Sequence, residues 1–169
     1  MRKIVYFIAC AVLFAAFGSS ALAQTEKQIK QIRADVNLIN KNASKYTKKT
    51  KNVEGIALEG TETTYFVSGK GLKKITAKMF GETYNASVEI YFSGEEMIFA
   101  FLKENRYDTQ IGMNPPPKVV RSEEKRFYFS GGNLIRLLVG KKELKSEDEN
   151  YRESQAQIKD IAEKLKAAY

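Results

Sequence analysis

Arg126–Leu138 reads RFYFSGGNLIRLL, and Glu89–Phe101 reads EIYFSGEEMIFAF. Tyr-Phe-Ser-Gly thus occurs twice, each time between two apolar runs. Glycine readily takes the positive φ of a tight hairpin turn, so Gly94 and the pair Gly131–Gly132 mark turns between antiparallel strands. Around Gly94–Glu95, Ser93 then faces Glu96, Phe92 faces Met97, Ile90 faces Phe99 and Val88 faces Phe101. Alternate residues of a strand share a face, so these apolar pairs line one side of a sheet. Glu89, Tyr91, Ile98, Ala100 and Leu102 fall on the other side. The same scheme around Gly131–Gly132 pairs Phe129 with Leu134 and Phe127 with Arg136. It leaves Arg126, Tyr128, Ile135 and Leu137 opposite. In both units the phenyl ring turns inward and the phenol outward.

A third, looser version begins at Tyr65, YFVSGKGLKKI, where Val67 faces Leu72 and Tyr65 would face Lys74. These hairpin units resemble the Tyr-aromatic-x-Asn/Ser-Gly-x-Leu units of bacterial MORN-variant repeat proteins, which form strand–turn–strand meanders. The match covers about a third of residues 24–169, and Ser68, Ser93 and Ser130 are unequally spaced, a departure from the repeat. The resemblance implies an interaction scaffold without catalytic residues.

Hydrophobic periodicity places the rest. In 24–44, Ile29, Ile32, Val36, Ile39 and Ala43 recur at helical spacing, with Thr25 and Gln28 as a capping box. In 146–168, Tyr151, Ile158, Ile161, Ala162 and Leu165 form the buried stripe of a second helix capped by Ser146 or Asp148. Residues 45–60 read as a lysine-rich hinge, and 105–121 as an irregular loop around Pro115–Pro117. The expected fold class is α+β. It is an antiparallel meander of about six strands, three hairpins within 61–140, with an N-terminal and a C-terminal helix packed on the sheet.

Residues 1–23 read as a signal peptide: Arg2 and Lys3, an apolar stretch from Ile4 to Phe17, and Ala21-Leu22-Ala23 as cleavage site. Cleavage there leaves one domain, 24–169, carried to the periplasm or beyond. It removes the only cysteine, Cys10, and two of 28 basic residues, leaving 26 against 20 acidic ones, a net charge of +6. With no His, Cys or Trp in 24–169, disulfides, imidazole or thiolate metal sites and Ser-His or Cys-His nucleophiles are excluded. No cofactor motif and no phosphate-binding glycine loop is present.

Without a catalytic motif, the candidate sites are binding sites. The face bearing Tyr91 and Tyr128 mixes Ile98 and Leu137 with Arg126, a composition suited to a protein partner. The alternative on the same residues is that the second helix or the long loop simply covers it. Arg136 interrupts the apolar row, either reaching water from an edge strand or holding an anion. Arg106 and Tyr107 open the proline-containing loop and could line a site beneath it. Lysines at 41–51 and 70–78 suit an anionic membrane surface or cell-wall polymer, while nucleic acid is a poor partner for an exported chain. The functional expectation is a non-enzymatic exported protein binding a protein partner. The alternatives are a carrier of a small amphiphile held between sheet and helix by Phe99, Phe101, Phe127 and Leu138, and a carboxylate or Ser-Lys hydrolase.

Overall fold

The computed structural model describes residues 23–69 and 71–169; most of the segment read as a signal peptide, and Lys70, lie outside the described residues. A helix α1 over 23–41 opens the described chain, followed by one 3-10 turn, Ala43–Lys45. Strands β1 (Thr47–Asn52), β2 (Thr61–Ser68), β3 (Gly71–Gly81), β4 (Tyr84–Ser93), β5 (Glu96–Tyr107), β6 (Val119–Ser130), β7 (Asn133–Val139) and β8 (Lys142–Leu144) come next, and helix α2 (Glu149–Ala167) closes the domain. Among the described residues the eight strands form one antiparallel sheet in chain order.

The α+β class and the meander agree with the sequence pattern; the strand number does not. The supposed hinge contains β1, whose six residues are all exposed. Lys48, Lys49 and Lys51 disguised it, yet lysines are ordinary on an edge strand because they deter further pairing. Lys51 also donates to the carbonyls of Ala168 and Tyr169, and Lys49 lies 4.9 Å from the Tyr169 ring centroid. Part of the basic cluster therefore serves the negative end of α2. The irregular loop is also shorter than expected, since β5 runs to Tyr107 and β6 starts at Val119.

All three repeated hairpins carry one extra residue at the same place. Val67 pairs with Leu72 but Phe66 with Lys74, Phe92 with Met97 but Tyr91 with Phe99, Phe129 with Leu134 but Tyr128 with Arg136. Lys73, Ile98 and Ile135 are left unopposed as β-bulges, and beyond each the register moves by one. Ile90 therefore pairs with Ala100, Val88 with Leu102, Phe127 with Leu137 and Tyr65 with Ile75. Leu102 and Leu137 belong to the inward face, while Phe99, Phe101 and Arg136 belong to the tyrosine face, the reverse of the uninterrupted alternation.

The two helices lie on opposite faces. α2, capped by the Asp148 side chain accepting from the Asn150 N–H, buries Ile158, Ile161 and Leu165 against Phe92, Ala100, Leu102, Phe127, Phe129 and Leu137 in the main core. Tyr151 and Tyr65 donate their hydroxyls to the carbonyls of Leu134 and Leu165, 2.8 and 2.9 Å, pinning both ends of the helix. α1 covers the phenols, forming two smaller clusters: Ile29 and Ile32 on Tyr128, Ile39 on Tyr91 and Ile98.

Candidate functional site

Tyr91 and Tyr128 do face away from Phe92 and Phe129, but they are only 2 % and 4 % exposed. The expected open contact surface is thus corrected: α1 occupies it. Beneath the helix Tyr91, Phe99 and Tyr128 form a continuous aromatic row, with centroids 5.7 and 5.0 Å apart. Arg136 stands on this face beside Tyr128, not on a last edge strand, because β8 continues the sheet. It pairs with Glu26 of α1 at 2.5 Å and Glu143 at 3.0 Å. Those carboxylates raise its pKa, Glu26 above all, and offset the charge of the guanidinium. Leu137 is fully buried on the α2 side and takes no part in the tyrosine face. Arg126 lies 5.2 Å over the Phe101 ring and pairs with Glu124 at 3.0 Å.

Sequence reasoning missed the polar group under the C-terminal end of α1. Lys74 is 8 % exposed, and its ammonium donates to Glu89 at 2.9 Å and Asn40 at 3.0 Å. The Tyr91 hydroxyl donates to the same Glu89 oxygen and to Asn40 at 3.1 Å. The Lys74 ammonium also lies 4.8 Å from the Tyr91 ring centroid. Burial pushes the Glu89 carboxyl up, but hydrogen bonds from Tyr91 and Lys74 outweigh it and hold it below the ordinary carboxylate value. Burial, then the neighbouring carboxylate, push the Tyr91 phenol well above its own. The one available signal was the misfit of Lys74 opposite Tyr65 in the unbulged register.

A shallow hollow of about 570 Å³ lies beside Glu89 and Phe101 on strands β1 to β5, and further open features lie elsewhere. Where β5 and β6 run past the shorter β7, a cleft of about 530 Å³ opens between sheet and α2, lined by Arg121, Glu123, Lys125, Val139, Lys142, Leu144 and Glu153 among others. A recess of about 160 Å³ adds Leu102, Glu104 and Arg106 to the same lining. Glu104 and Glu123 are direct cross-strand partners there. Glu104 accepts from Arg106 at 2.8 Å, and Glu123 pairs with Arg121 at 2.5 Å and Lys125 at 3.2 Å. Burial pushes the Glu123 carboxyl up, yet its two cations outweigh burial and hold it below the ordinary value. That is the wrong direction for a general acid. Tyr107 lies near this end, its hydroxyl accepting from Asn85 at 2.7 Å. The walls named for an amphiphile do not meet: Phe99 and Leu138 pack under α1, and Phe127 under α2.

Among the described residues no group of three or more potential ligands lies close enough to hold a metal ion, and no helix is long and apolar enough to cross a membrane. Comparison of the chain with protein-family models, with curated proteins and with solved structures gave no match.

Proposed function

We propose that this is an exported, non-enzymatic protein that binds a protein partner at the outer end of the β5–β6 hairpin and the adjoining cleft. One observation carries the reading. Of seven large apolar side chains exposed among the described residues, four (Ile111, Met113, Val119 and Val120) belong to this one hairpin end. Scattered exposed apolar residues need no explanation, but a cluster beside a charged cleft suits a contact surface. The MORN-variant resemblance supports a scaffold role, and the signal-like residues 1–23 support export to the periplasm.

A carrier of a small amphiphile is the second reading, favoured by the cleft's volume of about 530 Å³, within the usual range for ligand sites. Its charged lining favours a protein surface instead. Photo-crosslinking separates the two. Benzoylphenylalanine at Met113 or Val120, in cells exporting the chain, gives a discrete protein adduct, and the same group at Lys30 on α1 gives none. Equal adducts from all three positions, or none, defeat the proposal.

A further inference from the structure

We propose that the sheet face beneath α1 is a helix-binding groove, able to take an amphipathic helix of a partner protein in place of α1. It concerns a different face from the β5–β6 end, so either reading survives failure of the other.

The main core closes without α1. Its buried members come from the strands, from Val53 just after β1 and from α2, with none from 23–41. α1 leads through an exposed Lys41 and the short turn Ala43–Lys45 into β1, an edge strand. Lifting α1 therefore breaks no strand pairing and uncovers none of the α2-side core. Local opening follows such boundaries, where few apolar contacts hold an element down.

The uncovered face joins polar tips to the apolar Phe99, Ile98, Ile135 and Leu138, so it calls for a covering helix and offers that helix hydrogen-bond partners. Tyr91, Tyr128, Arg136, Lys74 and Glu89 each carry a polar tip, and Glu89 keeps a side-chain exposure of 41 % even with α1 in place. The apolar grip of α1 is three buried isoleucines, Ile29, Ile32 and Ile39, with a half-buried Val36. Polar contacts set its register: Glu26 to Arg136, Gln28 to Ser130 at 3.0 Å, Arg33 to the Tyr128 hydroxyl at 3.4 Å, and Asn40 to Lys74 and Tyr91. Tyrosine-rich rows read by aliphatic residues at three- and four-residue spacing are the chemistry of helix-in-groove recognition. The partner's chemistry follows from α1 itself. It is a helix with four aliphatics on one stripe, a carboxylate three residues before the first of them to meet Arg136, and a side-chain amide just after the last to meet Lys74 and Tyr91.

The probe is a fluorescein-labelled, acetylated peptide of residues 23–42, added to the chain from residue 24 onward. Ile32→Asp in the protein weakens the resident helix while leaving the sheet and α2 folded, as judged by amide protection of β4 and β5. The peptide then binds this variant saturably and at least tenfold more tightly than the unaltered protein. Arg136→Glu, added to Ile32→Asp, weakens binding at least tenfold, and a peptide carrying Glu26→Arg restores it. In the unaltered protein the α1 amides exchange before those of β4 and β5. Loss of β4–β5 protection in Ile32→Asp, absence of peptide binding to it, indifference to the Glu26–Arg136 reversal, or α1 exchange only with global unfolding would each overturn the proposal.

Discussion

Removing one member of the Lys74–Glu89 pair should have a very different effect from removing the other, because only one of them is buried. Glu89→Ala leaves the Lys74 ammonium 8 % exposed, with Asn40, at 3.0 Å, still accepting from it. Breaking a fully buried pair costs about 3–5 kcal/mol. Glu89 reaches solvent at 41 % exposure, and Asn40 remains, so the expected loss is about 2–3 kcal/mol. For a domain of this size that lowers Tm by about 4–12 °C. Lys74→Met fills a similar volume and leaves a carboxylate that water can solvate and the Tyr91 hydroxyl still bonds, so its cost stays within about 1 kcal/mol. Urea unfolding of both variants and the double variant measures the coupling. The pH dependence follows from the depressed pKa of Glu89. Its contribution is complete above the unfolded carboxyl value of 4.5 and is lost as pH falls through the lower folded value. The gap between the unaltered protein and Glu89→Ala therefore closes below pH 4.5. A Lys74→Met loss as large as that of Glu89→Ala, or a gap that persists into strong acid, refutes the reasoning.

Two further stability tests probe the α2 side. The hydroxyls of Thr61 and Thr63 are buried without a hydrogen-bond partner, so Thr61→Val and Thr63→Val should each raise stability by about 1 kcal/mol in denaturant unfolding. Leu165 is fully buried and Leu58 is 89 % exposed; Leu165→Ala should cost about 2–5 kcal/mol and Leu58→Ala less than about 0.5 kcal/mol, measured the same way.

How far the fold could be read from the chain depends on which residues carried contrast. The repeated Tyr-Phe-Ser-Gly declared its turns, and the opposition of Phe92 and Phe129 to Tyr91 and Tyr128 holds in space. Met97-Ile98-Phe99-Ala100-Phe101-Leu102 is apolar throughout, so alternation there has nothing to distinguish one register from its neighbour. The bulge at Ile98 was invisible for that reason. At Ile135 and Lys73 it was visible: the unbulged register set Arg136 in an apolar row and Lys74 against Tyr65, and both misfits vanish when one residue is skipped. A charge on an apolar face argued for a wrong register before it argued for a binding site. β1 escaped because its lysines carry an edge-strand message that composition alone does not separate from a loop. The cleft escaped because it arises from unequal strand lengths, with β6 of twelve residues beside β7 of seven.

The same three bulges explain why the two helices meet such different surfaces. By moving the register, they send Ala100, Leu102 and Leu137 to the α2 side, which becomes almost wholly apolar. They send Phe99, Arg136 and Lys74 to the α1 side, and seat Ile98 and Ile135 beside the phenols. Had the strands paired without interruption, Arg136 would have fallen within the α2 core, where an unpaired guanidinium is very costly. The extra residues thus concentrate polar tips on one face and clear them from the other. α2 is held mainly by removal of apolar surface from water. α1 is held by a short aliphatic stripe and by side-chain hydrogen bonds that water can replace, each of small net worth. Of the two elements, the one that can leave while the sheet stays folded is therefore α1.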